Sequence, residues 1–153
     1  EVIALVGKNG TGKTTFSRAL CGLHQEIKGD FFRDGKIISK KKRQKISYMV
    51  MQDVNYELFA ESVEAECSFG IKNPDANLVA ETMAALELTH FSERHPGTLS
   101  GGQKQRLAVA VGQICKKELI VFDEPTSGLD YESMERVAKL SATSPNRGKS
   151  YLL

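Results

Sequence analysis

The stretch that decides the fold is Gly7-Lys8-Asn9-Gly10-Thr11-Gly12-Lys13-Thr14, close to the start of the chain. It fits the pattern G-x-x-x-x-G-K-[ST], in which backbone amides surround phosphate oxygens and the lysine contacts the β and γ phosphates. The apolar run Val2-Ile3-Ala4-Leu5-Val6 before it has the character of a buried strand. The residues after it show the spacing of an apolar helix face: Phe16, Ala19, Leu20 and Leu23. Strand, loop and helix together predict a phosphate-binding corner, with a glycine-rich turn and a solvated lysine as the alternative.

A second apolar run, Leu119-Ile120-Val121-Phe122, ends in Asp123, Glu124 and Pro125. In parallel α/β sheets ligands gather at the carboxyl ends of strands, so we expect Asp123 to face the site that the glycine loop lines. Asp123 and the Thr14 hydroxyl are then candidate ligands of Mg²⁺. Because neighbouring strand residues point to opposite sides, Glu124 is instead the candidate general base for an attacking water. Two carboxylates at a solvated strand end are the alternative interpretation.

The chain contains another glycine motif, Leu99-Ser100-Gly101-Gly102-Gln103, which precedes a helix predicted over residues 103–115. The Ser100 hydroxyl and the two glycine amides are candidates for binding a γ phosphate. The alternative is that Ser100 only caps the helix. One nucleotide needs one cradle, and only the first motif carries a lysine. This asymmetry suggests that the second motif binds a phosphate held by another copy of the protein.

The order of these motifs resembles that of the ATP-binding cassette (ABC) ATPases, and the resemblance runs from residue 1 to about residue 153. The run LSGGQKQR, from Leu99 to Arg106, is similar to the family signature. Ser127-Gly128-Leu129-Asp130 is similar to the D-loop, and Gln52 to the Q-loop glutamine. The resemblance implies a domain that dimerises head to tail, with itself or with a paralogue. Each ATP would lie between the glycine loop of one copy and the signature of the other, an arrangement that two-fold symmetry favours.

The resemblance implies ATP and Mg²⁺ as cofactors and assigns the site residues. The predicted ATP-binding residues are Gly7, Lys8, Asn9, Gly10, Thr11, Gly12, Lys13, Thr14 and Thr15. Those predicted to contact the ATP of the partner copy are Ser100, Gly101, Gly102 and Gln103. Catalysis falls to Glu124 and Gln52, the metal to Thr14, Asp123 and Gln52, and the D-loop dimer contact to Asp130. A polar strand end for Gln52 and a helix cap for Asp130 are the alternatives.

The fold class predicted is α/β: a P-loop NTPase with a mostly parallel sheet flanked by helices, a small antiparallel β portion and a helical insert. We expect one domain over residues 1–153, incomplete at both ends. Residues 1–52 form the P-loop half with a hairpin at Asp34-Gly35, and residues 53–98 the insert, with a helix over 76–88. The signature helix, the Asp123 strand and the D-loop occupy residues 99–153. The basic run from Lys40 to Lys45 is expected to be a solvated loop, with contact to lipid or another subunit as the alternative.

Composition is consistent with an enzyme domain of the cytoplasm. The 153 residues, 41% of them hydrophobic, suffice for a substantial core. A net charge of +2 gives no field that would favour nucleic acid, so no direct nucleic-acid partner is expected. The three cysteines lack C-x-x-C spacing, which favours free thiols in a reducing compartment. No apolar run approaches the roughly 20 residues of a membrane span.

The resemblance further implies an ATPase on the inner face of the cell membrane, bound to a separate transmembrane subunit. The apolar residues after the Q-loop are candidates for that contact or, alternatively, for the core of the insert: Tyr56, Leu58, Phe59 and Val63. The segments Asn55-Tyr56-Glu57-Leu58-Phe59 and Arg94-His95-Pro96-Gly97-Thr98-Leu99 look like those of energy-coupling-factor and cobalt-type importers, which take up vitamins or metal ions. The alternatives are a soluble ABC ATPase acting in translation or DNA repair, and a regulatory module with little turnover.

Two features of the family are missing from the sequence. No aromatic residue precedes the glycine loop to stack on adenine, and none of His24, His90 and His95 follows the Asp123 strand, where the switch histidine belongs. We therefore expect the chain to be a piece of a longer protein, with full turnover in doubt for the piece alone.

Overall fold

The computed structural model describes residues 2–25, 28–51, 53–54, 58–115, 117–123 and 150–152. The strands are β1 (Val2–Ile3), β2 (Phe32–Arg33), β3 (Lys36–Ile37), β4 (Ser47–Val50), β5 (Leu119–Phe122) and β6 (Ser150–Leu152). The helices are α1 (Lys13–Leu20), α2 (Lys40–Ile46), α3 (Val63–Ser68), α4 (Ala76–Ala85) and α5 (Gly101–Ile114), with 3₁₀ turns at Thr89–Phe91 and Pro96–Thr98. Within these residues every helix is too short or too polar to cross a bilayer.

Four strands form one parallel sheet in the order β1-β6-β5-β4. Strand β5 lies inside the sheet, where Val121 is opposite Met49 on one side and Leu152 on the other. Ile120 and Val121 are fully buried, as the continuous apolar run predicts for a parallel strand covered on both faces. The predicted α/β class is confirmed, and the carboxyl ends of β4 and β5 lie side by side.

Helix α5 is the centre of the larger core. Its buried residues are Gln105 and all those from Leu107 to Ile114, and the apolar ones among them belong to the main core. The helix packs against β4, α3 and α4. A Cβ at Gly112 would come within 3.2 Å of the Tyr48 ring, so glycine allows the helix to approach β4 closely. The signature motif therefore begins a helix that is firmly embedded in the domain.

The antiparallel portion is a hairpin of β2 and β3, with Phe32 opposite Ile37. Its two-residue loop, Asp34-Gly35, has φ values of 50° and 74°. Both values lie in the left-handed region that a type I′ turn requires, so the Asp-Gly pair predicted the turn correctly.

The basic run is a helix, not the solvated loop that was predicted. Helix α2 is capped by the Ser39 hydroxyl, which accepts a hydrogen bond from the Lys42 amide. Arg43 is only 8% exposed. Its guanidinium lies 4.0 Å from the Phe31 ring centroid and donates to the Ile38 carbonyl. These contacts offset the cost of burying the charge. The number of basic residues in the run does not reveal that one of them has such partners.

The residues just before β5 join three parts of the fold. The Lys117 ammonium donates to the carbonyls of Gln44 and Lys45 at the end of α2, at 3.2 and 2.8 Å. The Glu118 carboxylate binds the Arg33 guanidinium of the hairpin through two contacts, of 3.1 and 2.8 Å. The hairpin and α2 are thus both fastened to the start of β5.

Two apolar segments near the start of the chain are more exposed than predicted. Ile3 and Val6 of the expected buried strand are 48% and 90% exposed. Strand β1 ends at Ile3, so Val6 lies outside it, and β1 is an edge strand in the described part of the sheet. In α1 the buried residues are Ser17 and Ala19, while Phe16 is about half exposed. Of the predicted apolar face, Ala19 is buried and Leu20 packs against the core beside Cys21, whereas Phe16 and Leu23 are about half exposed.

The apolar residues after β4 do not form one surface. Val63 is fully buried and Leu58 packs against the same core, whereas Phe59 is 69% exposed. Tyr56 lies outside the described residues. For Val63 and Leu58 the structure therefore supports the alternative, which is burial in the core of the insert.

Helices α4 and α5 both form, but their bounds differ from the predicted ones. The stripe of Val79, Thr82 and Met83 is buried as predicted, but α4 ends at Ala85, and Glu87 has a φ of 57° that continues no helix. Helix α5 begins at Gly101 instead of residue 103 and ends at Ile114.

Candidate functional site

The glycine loop adopts backbone conformations that favour glycine at two positions. Gly10 and Gly12 have φ values of 82° and 91°, which disfavour any residue with a Cβ. A Cβ at either position would meet no atom within 4 Å, so backbone conformation and not crowding selects glycine. The Lys8 carbonyl accepts from the Thr11 amide and hydroxyl, at 3.3 and 2.9 Å, and this closes the loop. The concave side is left open to a ligand.

Helix α1 differs from the other described α-helices in its first turn. The N-cap side chains of α2 to α5 accept hydrogen bonds from their own helices: Ser39, Ser62, Asp75 and Ser100. The N-cap of α1 is Gly12, which has no side chain to do so. Because the first amides of a helix have no partner within it, those of Lys13, Thr14 and Thr15 are oriented toward the loop. With the positive end of the helix dipole they make an anion site.

The Lys13 side chain folds back over the loop. Its ammonium donates to the carbonyls of Gly7 and Lys8, at 2.7 and 3.0 Å. An ammonium has three N–H donors, so two loop carbonyls fix its position and a third donor remains for a ligand. The positive charge is thereby held at the mouth of the phosphate loop.

The Thr14 hydroxyl donates to Asp123 Oδ1 at 2.9 Å. Asp123 is 8% exposed, and its amide donates to the Val50 carbonyl of β4 at 2.9 Å. The start of α1 and the end of β5 therefore meet at one point, as parallel topology predicts. A hydroxyl and a carboxylate supply the oxygen ligands that Mg²⁺ prefers, so Thr14 and Asp123 fit the predicted metal.

Three predicted site residues, Gln52, Glu124 and Asp130, lie outside the described residues. Their predicted roles are carried below as proposals.

The signature corner is a capping box at the surface. The Ser100 hydroxyl accepts from the Gln103 amide at 3.3 Å, and Gln103 Oε1 accepts from the Ser100 amide at 2.9 Å. A hydroxyl that accepts one bond keeps its own hydrogen to donate, so a capping role and a phosphate contact are compatible. Ser100 and Gly101 are exposed, and Gly102 is half-buried. A Cβ at Gly101 would meet nothing within 4 Å, so nothing within the described chain demands glycine there.

Sequence analysis missed Glu66. This residue of α3 is only 2% exposed, and its Oε2 accepts from the amides of Phe59 and Ala60 at 2.7 and 2.6 Å. A signal was present, because Glu66 lies between Val63 and Cys67 at the helical spacing of a buried face. A carboxylate on such a face needs partners.

The three cysteines are free and buried, as Cys21, Cys67 and Cys115 were predicted to be free. Burial raises the pKa of the Cys67 thiol to about 12, and the negative charges of Glu66 and Glu64 contribute to the increase. Burial also raises the pKa of Cys21. Burial thus favours the protonated form of both thiols, which is typical of structural cysteines.

Comparison with known proteins gives matches over most of the chain. The family profile described as ABC transporter matches residues 1–127. A putative ABC transporter ATP-binding protein of Treponema denticola is 53% identical over 140 residues, which is 92% of this chain and 29% of that protein. The energy-coupling factor transporter ATP-binding protein EcfA1 of Lactococcus lactis is 33% identical over 92% of this chain and 54% of its own.

A solved structure is also similar. It is cbiO1 of Clostridium perfringens, described as part of the ABC transporter complex cbiONQ, with a TM-score of 0.77 and 28% identity. The match covers 99% of this chain and 65% of that one. The chain thus spans less than two thirds of the length of each of these relatives.

Proposed function

Since the chain belongs to the ABC transporter family of ATP-binding proteins, we propose that it binds ATP with Mg²⁺ and hydrolyses the ATP to power transport. The observation that carries this proposal is the hydrogen bond from Thr14 to Asp123. It supports the proposal because it brings the Asp123 carboxylate next to the first turn of α1, which follows the glycine loop.

The chemistry is divided among residues of this chain. The amides of the glycine loop and of the first turn of α1 bind the phosphates, and Lys13 contacts the β and γ phosphates. Thr14 and Asp123 hold Mg²⁺, which neutralises charge that develops during phosphoryl transfer. Glu124 acts as the general base for water, and Gln52 contacts the metal and the water from the Q-loop.

The second half of the proposal is a head-to-tail dimer with itself or a paralogue. Ser100, Gly101, Gly102 and Gln103 contact the γ phosphate bound by the partner, and Asp130 contributes the D-loop contact. The exposed position of Ser100 and Gly101 supports this arrangement. A glycine whose own surroundings would accept a larger residue is expected where another surface approaches closely.

The transported solute is proposed to be a vitamin or a metal ion, imported through a separate membrane subunit. The names of the EcfA1 and cbiO1 relatives support this assignment. The protein would then act on the cytoplasmic face of the membrane. Phe59, which lines a cavity of about 300 Å³ with Leu23 and Met51, is a candidate contact for that subunit.

The test of ATP binding is the variant Lys13→Ala in the full-length protein. Loss of a charge-assisted hydrogen bond should weaken ATP binding by about 1.5–3 kcal/mol, measured by titration calorimetry. Lys72→Ala is the control, because it removes an exposed lysine side chain of the insert that has no predicted role in ATP binding. Equal affinity of Lys13→Ala and wild type would remove Lys13 from the site.

A further inference from the structure

Basic residues are concentrated in the segment that forms β3 and α2. Residues 36–45 contain six of the chain's 21 basic residues and none of its 19 acidic ones. The rest of the chain is therefore acidic on balance, and the net charge of +2 conceals a local positive surface. A field of one sign on one part of a surface attracts partners of the opposite charge, whatever the average charge of the protein.

The exposed lysines of α2 form a basic face, which consists of Lys40, Lys41, Lys42 and Lys45. On the other side of the helix, Arg43 is buried against the Phe31 ring. At roughly 100° per residue, Lys41 and Lys45 lie opposite to Arg43 and point away from the domain. None of the four lysines forms an ion pair with a carboxylate in the part of the chain that the structure describes.

The charges of the basic face destabilise the helix that carries them. Lys40, Lys41 and Lys42 occupy the first turn, which contains no acidic residue and where the positive end of the helix dipole disfavours cations. Lys41 and Lys45 are like charges at positions i and i+4, which repel each other. Glutamine would support the helix equally well, since its helix propensity is close to that of lysine. An arrangement that opposes folding indicates that these charges act on a partner outside the domain.

Helix α2 borders the surface that is proposed to contact the membrane subunit. Gln44 of α2 and Phe59, the candidate contact for that subunit, line the same cavity of about 300 Å³. On the helix surface Gln44 lies next to Lys40 and Lys41, which precede it by four and three residues. A membrane subunit bound at Phe59 would therefore bring the basic face toward the cytoplasmic leaflet of the bilayer.

We propose that the basic face of α2 binds the anionic lipid head groups of the cytoplasmic leaflet. The proposal rests on the proposed function for the orientation of the domain, whereas the lysines themselves take no part in binding or hydrolysing ATP. Lipid phosphates are complementary in charge to the basic face, and each lysine close to such a surface strengthens binding roughly five-fold. Nucleic acid carries phosphates too, but the neighbouring cavity at Phe59 favours the membrane.

The experiment measures co-sedimentation of the full-length protein with lipid vesicles, without nucleotide and without the membrane subunit. Vesicles of phosphatidylcholine mixed with phosphatidylglycerol are compared with vesicles of phosphatidylcholine alone. We expect binding to the anionic vesicles only, and we expect it to weaken as the salt concentration rises.

The variant that tests the basic face combines Lys41→Gln with Lys45→Gln. Binding to anionic vesicles should weaken roughly 30-fold, because two lysine charges are lost. The matched control combines Lys28→Gln with Lys72→Gln, which removes the same net charge from exposed positions outside α2. It should weaken binding much less. Equal binding of the α2 variant and the wild type would overturn the proposal, as would equal binding of the wild type to both kinds of vesicle.

Stability separates a binding role of the lysines from a structural one. Because the α2 variant removes like-charge repulsion, it should unfold at the same urea concentration as the wild type or at a higher one. Its ATP hydrolysis without vesicles should equal that of the wild type. A lower midpoint of unfolding would show that the lysines stabilise the fold, which contradicts the argument for an external partner.

Two further results would assign the basic face to another partner and overturn lipid binding. Tighter binding to duplex DNA than to anionic vesicles at the same ionic strength would assign it to nucleic acid. Failure of the α2 variant to assemble with the membrane subunit in detergent, together with no vesicle binding by the wild type, would assign it to an acidic surface of that subunit. Failure of the proposed function is distinguishable, since it appears in the ATP titration of Lys13→Ala, whereas vesicle binding is measured without nucleotide.

Discussion

The hydrogen bond between Thr14 and Asp123 joins residues that are 109 positions apart in the chain. The bond joins a hydroxyl to a largely buried carboxylate. A buried carboxylate needs a donor or a cation. The bond therefore keeps Asp123 satisfied, and the same two oxygens are suited to Mg²⁺ when nucleotide arrives.

This pairing predicts a metal-dependent phenotype for Thr14→Val, which preserves the branched shape and removes the hydroxyl. Affinity for Mg²⁺-ATP should fall by about 1.5–3 kcal/mol, because a bond to a charged group is lost. Affinity for ATP in a chelator should change little. Titration calorimetry under both conditions measures the difference, with Thr89→Val, an exposed threonine of the insert, as control. An equal loss in the two conditions would contradict a role in metal binding.

The buried thiol of Cys67 predicts alkaline destabilisation. Burial raises its pKa from the ordinary thiol value of 9.0 to about 12 in the folded protein. The unfolded chain therefore loses this proton first, so the thiol's contribution to stability is fully present below pH 9 and is lost as pH rises toward 12. Urea unfolding at a series of pH values should show the free energy of unfolding decreasing above pH 9.

The control for this effect is Cys67→Ala, which removes the titrating group. Its stability at neutral pH should be lower, because a buried side chain is lost. Its decrease in stability above pH 9 should nevertheless be shallower than that of the wild type. Parallel curves for the two proteins would assign the alkaline effect to other groups.

At the level of residues, the sequence predicted those side chains that belong to a motif with fixed spacing. Lys13, Thr14 and Asp123 lie together because loop and strand end are fixed by their patterns. Arg43 and Glu66 were not predicted, because each is buried through partners that only the folded chain brings near. From composition alone, both residues would be expected to lie on the surface.

At the level of elements, local chemistry determined where each helix begins. Helix α5 starts at Gly101 because Ser100 and Gln103 complete a capping box. The prediction started the helix at residue 103, since it treated the glycines as loop. Helix α2 was missed because its basic residues show no apolar periodicity, although Ser39 is a strong cap signal.

The packing of α2 against the end of α1 can be tested at Gly22, which is the second residue after α1. A Cβ there would lie 2.7 Å from the Lys40 carbonyl oxygen, and φ is 73°. Gly35 is a matched control, with a φ of 74° and nothing within 4 Å. Gly35→Ala should cost about 1–2 kcal/mol from backbone strain alone.

Gly22→Ala should cost that amount and about 1–3 kcal/mol more from overpacking. Urea unfolding of the two variants measures the difference. Equal destabilisation would mean that α2 shifts away without cost and that the contact between α1 and α2 is loose.

At the level of the whole molecule, the parallel sheet followed from the apolar runs, but its strand order did not. The sequence shows that β4 and β5 are buried strands, whereas the pairing of β6 with both β1 and β5 depends on long-range packing. Exposure of Ile3 and Val6 was unpredictable for the same reason, since an apolar run does not reveal which strand lies at an edge.

The proposed dimer predicts that Gly101→Glu abolishes ATP-dependent association without loss of stability. The position has room for a side chain, and a carboxylate in the first turn of a helix is favourable by about 0.3–1 kcal/mol. Facing a bound triphosphate, the same charge is repulsive. Light scattering of full-length protein carrying Glu124→Gln, with and without ATP, measures the association.

The control is Ala76→Glu, which places the same charge at the first position of α4. It should leave ATP-dependent association intact. A dimer that still forms with Gly101→Glu would show that the signature corner does not meet the nucleotide of the partner.

The contacts that Lys117 makes with α2, and Glu118 with the hairpin, have a consequence for the position of Asp123. The amino end of β5 is clamped to the hairpin and to α2, while its carboxyl end carries Asp123 only five residues beyond Glu118. Strand β5 also pairs with β4 on one side and β6 on the other. The hairpin, α2 and the Asp123 carboxylate are therefore parts of one framework, and their relative positions are set together when the chain folds.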